Sequence, residues 1–564
     1  MEDDKCGKCA ICGVKASQTC SACKSVQYCG AEHQKKHWKI HKLECRPFCI
    51  ARDEELGRYL MATRDIAANT VIFTENPLVV GPKWFLNEKE EYSPIVPCVG
   101  CFAPCRVGTY TCANCHWPAC SDSCPGLENS KLHGLECPIL CLGVRSINPT
   151  DIKALMDYYR TDTLVVLKSL MLQRKMPKKW QELIDMQSHE NERIGSELQK
   201  DAEERIVSYL MKNFLEPLKA LEVKSNKKIL EHCDAKILHK ICGIIETNYM
   251  CINLLNGMEL SSLFTTACMM EHSCLPNCYF SFDHYNGFKI SVTAGRDIKK
   301  GEHLQIMYSN MLWGTQMRQE HLALTKHFLC RCERCRDPTE LGTYFSGLRC
   351  IGPESSTCSG IQLPEDPLAE KTDWVCNKCP MRINSEEVRY LNTQMGEEVE
   401  VLLASKPTID QIEALIEKLS RFLHRNHYHL FNLKHCLIQM YGTQSGYLLE
   451  DLSEKQLLEK IKTSEELLDV CDKLDPHTVR LSLYVAIILN EMQSATVEYN
   501  KRQSKKSKDV EKDKIGAELQ KASEWLTRAK RVLQKELDTL QGSKLNDALN
   551  KSIESVGKLI AETV

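Results

Sequence analysis

The chain has 564 residues, which is long enough for three or more domains that each bury a core. Its 73 basic and 75 acidic side chains leave a formal net charge of −2, so we do not expect a polyelectrolyte face that wraps nucleic acid. No run of the sequence approaches the roughly 18 apolar residues that cross a bilayer, so we expect no membrane segment.

The cysteine content indicates metal binding. The sequence has 32 cysteines, most of them before residue 380. The first residues, Met1 to Lys5, lead into no apolar segment, so we expect no signal peptide and a cytoplasmic or nuclear location. Thiols stay free in those reducing compartments, and cysteines paired at two-residue gaps then indicate zinc ligands.

The first ligand cluster lies near the N-terminus and contains eight cysteines and histidines: Cys9, Cys12, Cys20, Cys23, Cys29, His33, His41 and Cys45. Eight ligands make two tetrahedral zinc sites of the closed, structural kind. A cross-braced pairing predicts that Cys9, Cys12, Cys29 and His33 hold one zinc, and that Cys20, Cys23, His41 and Cys45 hold the other. A rival pairing of Cys6 with Cys9 is less favoured.

The second cluster repeats this scheme with Cys98, Cys101, Cys112, Cys115, Cys120, Cys124, His133 and Cys137. Eight ligands again predict two zinc ions. The spacing leaves open which cysteine pairs share a zinc. Cys105 and Cys141 remain, and we expect them to be packing residues.

Residues 142–240 have a helical pattern with few glycines or prolines, and strand-like segments flank them. Two of these segments, 61–70 and 292–301, resemble each other, and each places a short polar turn between β-rich runs. This pattern predicts hairpins. The simplest interpretation is a β core that helical and metal-binding insertions interrupt.

Two further clusters follow. Cys330, Cys332 and Cys335 are three ligands that need a fourth from elsewhere. The last cluster is complete in itself and consists of Cys350, Cys358, Cys376 and Cys379.

The C-terminal portion, 385–564, is poor in cysteine and carries apolar residues at helical spacing, such as Ile412, Leu415, Ile416 and Leu419. The charged stretch 499–514 is typical of an exposed loop between helices, and a nuclear-localisation role for Lys501 to Lys508 is less favoured. For the histidines at 424, 427 and 429, a packing or capping role is favoured over metal binding, because no cysteine lies nearby.

Two stretches of sequence resemble known domains. The first cluster, with Tyr28-Cys29 and His37-Trp38, resembles the MYND finger. The segment 270–278 (Met-Glu-His-Ser-Cys-Leu-Pro-Asn-Cys), the run 301–308 that ends in Tyr308, and the Cys330 triplet follow in the order of the SET domain of protein-lysine methyltransferases. Over nearly its whole length the chain resembles the SMYD family, and the extra N-terminal finger resembles its arthropod-type branch.

The resemblance implies an α+β multidomain fold with a zinc-braced, β-rich SET core, MYND-type zinc fingers and a C-terminal all-α domain with tetratricopeptide-like packing. The implied domains are an N-terminal MYND finger (1–48), the first part of the SET domain (49–92), a second MYND-like finger inserted in it (93–141), a helical SET insertion (142–240), the SET core (241–310), a post-SET zinc-binding region (311–384) and the C-terminal helical domain (385–564).

The resemblance also implies site residues. Cys274 would complete the Cys330 triplet, which brings the total to 24 ligands and about six zinc ions. Tyr308 would orient the acceptor amine and Phe328 would form a wall of its channel. The implied S-adenosylmethionine-binding residues are Gly57, Arg58, Tyr59, Asn248, Glu271, His272, Tyr308 and Phe328.

Two of these positions depart from the family pattern. The family's Gly-x-Gly-Leu turn reads Gly57-Arg58-Tyr59-Leu60 here, so a tyrosine replaces its second glycine. A side chain at that point could narrow the cofactor pocket. The family's Asn-His pair reads Glu271-His272, and a carboxylate can accept from the cofactor's ammonium group but cannot donate as an amide does.

The function that follows from the resemblance is an S-adenosylmethionine-dependent protein-lysine N-methyltransferase that acts on histone or non-histone lysines. The alternative is a SET/MYND adaptor with weak or no catalysis, which recruits partners through its fingers and its helical domain. We expect proline-rich or other peptides at the MYND fingers, and a monomer. The basic stretch Lys35, Lys36, Lys39, Lys42 and Arg46 is more typical of a solvated helix face than of a DNA-binding surface.

Overall fold

The computed structural model describes the chain except for residues 1–6, 22, 24–25, 55, 84–94, 130–131, 144–161, 255–257, 285, 354–357, 507–511, 538 and 564. Cys6, and with it the rival pairing, lies outside the described residues. Among the helices of the described part, none is both long enough and apolar enough to cross a membrane.

The described strands are short and are concentrated before residue 384. They are β1 (Gln18–Thr19), β2 (Gln27–Tyr28), β3 (Phe48–Asp53), β4 (Gly57–Ala62), β5 (Val71–Glu75), β6 (Val79–Lys83), β7 (Ile95–Pro97), β8 (Pro104–Arg106), β9 (Tyr110–Thr111), β10 (Pro118–Ala119), β11 (Met250–Asn253), β12 (Glu259–Leu263), β13 (Glu271–His272), β14 (Cys278–Asp283), β15 (Lys289–Ala294), β16 (Gln305–Ile306), β17 (Leu348–Arg349), β18 (Ile361–Pro364), β19 (Trp374–Cys376) and β20 (Arg382–Ile383).

The described helices lie mainly in an insertion around residue 200 and after residue 385. They are α1 (Ala31–Glu44), α2 (Cys137–Leu140), α3 (Asp162–Lys175), α4 (Pro177–Ile184), α5 (Glu190–Arg193), α6 (Glu197–Ala202), α7 (Ser208–Leu210), α8 (Glu216–Ser225), α9 (Ala235–Asn248), α10 (Thr315–Lys326), α11 (Glu333–Arg336), α12 (Ser385–Ala404), α13 (Ile409–Leu419), α14 (Tyr428–Met440), α15 (Glu454–Leu474), α16 (Ser482–Lys506), α17 (Lys512–Leu533) and α18 (Leu540–Thr563). Two π-helical turns, Glu203–Val207 and Met211–Leu215, connect α6, α7 and α8.

The β core is assembled from two distant stretches of sequence. In one antiparallel sheet β15 lies between β14 and β5, and in another β12 lies between β11 and β6. A β3–β4 hairpin and a parallel β13–β16 pair complete it. Phe48, Leu60, Phe264 and Ile290 are buried in its apolar centre. The α+β fold, with insertions interrupting a β core, is confirmed; the residue bounds of the seven predicted domains stay predictions.

The prediction of hairpins at 61–70 and 292–301 was wrong. Strand β4 pairs with β3 and β15 pairs with β14 and β5, so neither polar turn joins two strands that pair with each other. The two turns bond to one another instead: the N–H of Ile66 donates to the carbonyl of Ile298 at 2.8 Å, and the reverse bond measures 2.9 Å. The two similar sequences therefore form two turns that lie side by side.

The C-terminal helices begin with ordinary N-caps and bury apolar faces. Thr408 and Ser453 form capping boxes with Gln411 and Gln456, which start α13 and α15. His427 caps α14 through its side chain, which confirms the expected capping role of that histidine. The apolar core of α14 to α18 also contains Cys274, Cys330 and Cys335, so the helical domain packs against the third ligand cluster.

The prediction of a loop at 499–514 was wrong over its described residues, since 499–506 end α16 and 512–514 begin α17. Helix α16 continues to Lys506, because polar side chains near its end are buried or hydrogen-bonded to a neighbouring segment. Arg502 donates to the carbonyls of Leu449 and Leu452 at 2.8 and 2.5 Å, and Asn500 is buried. Lys508 lies outside the described residues.

Candidate active site and zinc centres

The first cluster folds into the two predicted ligand groups. Cys9, Cys12, Cys29 and His33 come together, with Cys12 and Cys29 sulfurs 3.6 Å apart. The remaining cysteines with His41 form the other group, in which the Cys23 sulfur lies 3.5 Å from Nε2 of His41. A tetrahedral zinc with Zn–S bonds of about 2.3 Å has S···S edges of about 3.8 Å, so these donor sets fit zinc.

The second cluster resolves the pairing that the spacing left open. One group consists of Cys98, Cys101, Cys120 and Cys124; the other consists of Cys112, Cys115, His133 and Cys137. Sulfur–sulfur distances of 3.6–3.8 Å fit tetrahedral zinc edges. Cys105 and Cys141 lie in the surrounding apolar clusters.

A buried charged pair lies behind the second finger. Nδ1 of His133 is 3.1 Å from Oε1 of Glu136, and both side chains are fully buried. The same Glu136 oxygen is 3.7 Å from Nζ of Lys168 on α3. Lys168 also donates to the carbonyl of Val80 at 3.2 Å and lies over the ring of Phe102. A carboxylate that orients a metal-ligating histidine is a common outer partner of zinc sites.

The third cluster closes through Cys274, as the resemblance implied. Its sulfur lies 3.5 Å from that of Cys335 and 4.0 Å from that of Cys330. Arg318 is fully buried and donates to both Cys274 and Cys335 sulfurs, at 3.2 and 3.5 Å. A zinc held by four thiolates carries net negative charge, so a buried guanidinium at its edge fits the group.

Glu340 forms ion pairs with Arg318 and Arg334, the two buried cations next to this cluster. Burial by itself would raise the pKa of Glu340, but Arg318 and Arg334 lower it to about 2. The three side chains are buried and their contacts measure 2.8 and 2.9 Å. The fourth cluster lies in the β17–β20 sheet, where Cys350 pairs with Cys379 at 3.5 Å and Cys358 with Cys376 at 3.8 Å.

A chain of hydrogen bonds connects the third cluster to Tyr308. Burial lowers the pKa of His272 to about 4, so its imidazole is neutral at pH 7. Its Nδ1 accepts from the backbone N–H of Tyr308 at 2.9 Å, and its Nε2 lies 3.3 Å from the Cys274 sulfur. The Tyr308 hydroxyl donates to the carbonyl of Met270. The third cluster therefore holds the backbone of Tyr308 through His272, and the Met270 carbonyl holds its hydroxyl.

Tyr308 lies in the wall of a cavity of about 460 Å³ between the β core and the C-terminal helices. Its lining includes Asn248, Tyr249, Phe280 and Lys326 from the core side, and Arg480, Lys535 and Glu536 from the helical side. Phe328 packs edge-on against Tyr308, with ring centroids 6.5 Å apart, but is not among the lining residues. A cavity of about 530 Å³ near α12 contains none of the predicted site residues.

Tyr59 and Glu271, the two positions that depart from the family pattern, meet at one histidine. The Tyr59 ring stacks on His303 with centroids 4.3 Å apart. Oε2 of Glu271 is 2.5 Å from Nδ1 of the same histidine. Burial raises the pKa of Glu271, and His303 opposes that shift. The sequence offered no signal for His303, because its role depends on a contact across 32 residues of chain.

The remaining predicted cofactor residues are Gly57, Arg58 and Asn248. Gly57 occupies the β3–β4 turn at φ +69°, a conformation that favours glycine, and no atom lies within 4 Å of the position a Cβ would take. A ligand can therefore approach its backbone. Arg58 donates to the carbonyl of Asp185 at 2.9 Å, and the Asn248 amide donates to the carbonyls of Gln187 and Ile244.

Comparison with known proteins identifies two domains. Residues 57–309 match the SET domain, and residues 9–45 match the MYND finger. The SET domain-containing protein SmydA-8 (isoform A) of Drosophila melanogaster is 29% identical over 334 residues, which are 58% of this chain and 64% of that protein. The chain thus spans less than two thirds of that relative's length.

Two methyltransferases are also similar. The histone-lysine N-methyltransferase ASHR1 of Arabidopsis thaliana is 24% identical over 408 residues, which are 69% of this chain and 76% of that protein. The N-lysine methyltransferase SMYD2-B of Xenopus laevis is 24% identical over 299 residues, which are 50% and 60% of the two chains.

Proposed function

Because the chain belongs to the SMYD family of SET- and MYND-domain proteins, we propose that it transfers a methyl group from S-adenosylmethionine to lysine side chains of proteins. The observation that carries this proposal is the attachment of Tyr308, which the His272–Cys274 chain and the Met270 carbonyl hold at the wall of a cavity. The bound cofactor would supply a sulfonium methyl group for in-line displacement.

Tyr308 is suited to orient an acceptor amine. Burial raises the pKa of its hydroxyl, which therefore stays protonated at neutral pH. Since that proton is donated to the Met270 carbonyl, the hydroxyl oxygen keeps lone pairs for an N–H of the acceptor. A lysine has an unperturbed pKa of about 10.4 and must be neutral to react. Cationic side chains in the lining, among them Lys326 and Lys535, favour the neutral form of a second amine.

The residues near the β3–β4 turn fit the methionine end of the cofactor. The open Gly57 turn admits close backbone approach, and the half-buried Glu271 carboxylate matches an ammonium group. We further propose that His303 holds Glu271 in place, so that the carboxylate does the work of the amide that the family usually has there.

We also propose that the partners are histone or other proteins of the cytoplasm or nucleus, and that the first finger binds proline-rich peptides. The first finger exposes Ile11, Val14, Trp38 and Ile40, each at least 41% accessible. An exposed aromatic side chain beside aliphatic ones is the kind of surface that proline-rich peptides dock on.

The test compares Tyr308→Phe with Tyr390→Phe, an exposed tyrosine on α12. Calorimetric titration with S-adenosylhomocysteine measures binding, and transfer to lysine peptides from histones and cellular proteins measures catalysis. We expect both variants to bind the nucleoside, and Tyr308→Phe alone to lose transfer by about 100-fold or more.

Absence of binding at millimolar S-adenosylhomocysteine, in zinc-loaded and folded protein, would overturn the methyltransferase proposal. The adaptor alternative would then stand, with the SET fold serving as a scaffold. Unchanged methyl transfer by Tyr308→Phe would instead contradict the role proposed for Tyr308, but not the proposal that the protein is a methyltransferase.

A further inference from the structure

Lys326, the last residue of α10, has its amine in the same cavity as Asn248 and Tyr308. Its Nζ donates to the backbone carbonyls of Glu246 and Thr247 at 2.9 and 2.8 Å, in the last turn of α9. The amine also lies 5.4 Å from the ring centroid of Tyr249 and 5.9 Å from that of Tyr308. A lysine side chain of this protein therefore lies next to the residue proposed to orient the acceptor.

The surroundings favour the neutral amine. Burial lowers the pKa of Lys326 to about 8; Glu246 opposes the shift and Lys83 adds to it. Two other buried lysines, Lys168 and Lys460, each contact a carboxylate, whereas the hydrogen bonds described for Lys326 go to backbone carbonyls. With a pKa of about 8, roughly a tenth of the Lys326 amines are neutral at pH 7 and about half at pH 8.

The hydrogen bonds also orient that neutral amine. A neutral –NH2 group has two N–H donors and one lone pair, and the two carbonyls accept both donors. The remaining corner of the nitrogen is the lone pair, which is directed away from the end of α9. The Lys326 side chain lines the cavity together with Tyr249 and Tyr308, whose ring centroids lie 5.4 and 5.9 Å from the amine.

We propose that Lys326 is itself a methyl acceptor, modified in cis by S-adenosylmethionine bound in the same molecule; the inference rests on the proposed function. The Nζ lone pair forms a bond to the methyl carbon, the carbon–sulfur bond breaks, and its electron pair stays on the sulfur of S-adenosylhomocysteine. The positive charge passes from sulfur to nitrogen, and no proton has to leave during the step.

The same geometry predicts a single methylation. The product methylammonium keeps two N–H donors, which satisfy both carbonyls of α9. A second methyl group would leave one donor for two buried carbonyls, and an unpaired carbonyl is unfavourable. We therefore expect the reaction to stop after one methyl group.

The experiment incubates the full-length, zinc-loaded protein with S-adenosylmethionine and digests it after glutamate. The peptide 321–333 contains Lys326 as its only lysine. We expect this peptide to gain the mass of one methyl group, at a rate that is half-maximal near pH 8 and independent of protein concentration. Lys326→Arg should abolish the gain.

Lys83→Arg is the matched control. Nζ of Lys83 lies 4.3 Å from the Tyr249 ring centroid and bonds its hydroxyl at 2.9 Å, but Lys83 does not line the cavity. This variant should still be methylated at Lys326. Lys535 also lines the cavity, but its amine lies over the ring of Tyr279, 4.7 Å from the centroid, whereas that of Lys326 lies beside Tyr308; Lys535 should therefore stay unmodified.

A second measurement does not involve catalysis. Trace labelling of the cofactor-free protein with acetic anhydride across pH should give Lys326 a titration midpoint near 8. A midpoint near the ordinary lysine value would overturn the inference. So would the absence of a mass gain at Lys326 in protein that binds S-adenosylhomocysteine, an outcome that leaves the proposed function intact. If the protein failed to bind S-adenosylhomocysteine, both the proposed function and the inference about Lys326 would be overturned.

Discussion

The two fingers have the same number of ligands at similar spacing but differ in what surrounds them. The buried apolar cluster of the first finger consists of its own residues, Tyr28 and four of its cysteines among them. In the second finger, Cys112, Cys115 and Cys137 belong to a core that continues into α3 and α9. The spacing of the ligands therefore determines the zinc geometry, whereas the residues between ligands determine whether a finger stands alone or joins a larger core.

The histidine ligands show the same contrast. His133 of the second finger bonds to the buried Glu136, which in turn contacts Lys168 of another element. His41 of the first finger stacks on His37, 5.8 Å away, within its own helix, and Trp38 packs edge-on against it while remaining 41% exposed. One ligand is held by the protein core, the other by a surface helix.

Removing one zinc ligand from each finger should give the largest contrast. Cys115→Ser is expected to lower the free energy of unfolding by several kcal/mol, a large part of the ~10 kcal/mol that a structural zinc couples to folding. Cys23→Ser should unfold the first finger alone. Hydrogen exchange would then show lost protection over α3 and α9 in the first variant, and only within residues 7–45 in the second.

The two variants control for each other, because each removes one buried thiolate from a site that also holds a histidine. Equal loss of protection over α3 in both variants would contradict the comparison and would make the first finger part of the same folding unit.

Lys168→Met should give the next largest effect. The substitution keeps the apolar stem but leaves the Glu136 carboxylate buried without its cation. Breaking one side of a buried pair costs about 3–5 kcal/mol. Denaturant unfolding measures this loss, and Lys36→Met, on the exposed face of α1, should change stability by less than ~0.5 kcal/mol.

A double variant, Glu136→Gln with Lys168→Met, should recover part of the loss because no unpaired charge remains. A loss below ~1 kcal/mol for Lys168→Met alone would mean that the pair does not join the second finger to α3.

The sequence predicted the features that depend on local spacing. All the proposed ligands of the first two clusters come together in groups of four. Each group joins two closely spaced ligand pairs within one finger of about 40 residues, so the donors meet without help from the rest of the chain. Cys274 joins the Cys330 triplet across 56 residues, and only the family resemblance predicted it. The helical patterns predicted for 142–240 and 385–564 are confirmed in their described parts, except at the loop predicted for 499–514.

Features that depend on long-range contacts could not be predicted from one sequence. The partners of β4 and β15 lie in other segments, so a turn between β-rich runs was misread as a hairpin. The Lys326 amine bonds to residues 80 positions earlier, and no local motif marks it. The role of His303 likewise depends on its contacts with Tyr59 and Glu271, which only the folded structure shows.

Trp38→Ala is expected to change stability least of all these variants. It tests whether the exposed surface of the first finger, and not that of the second, binds peptides. Trp38 is 41% accessible on the first finger and Tyr110 is 45% accessible on the second. If the first finger alone is the proposed peptide-binding surface, Trp38→Ala should weaken binding of a proline-rich peptide about tenfold, or ~1.4 kcal/mol. Tyr110→Ala should leave that affinity unchanged, and fluorescence anisotropy measures both. Equal weakening by the two variants would mean that the second finger, although embedded in the core, still offers the same binding surface.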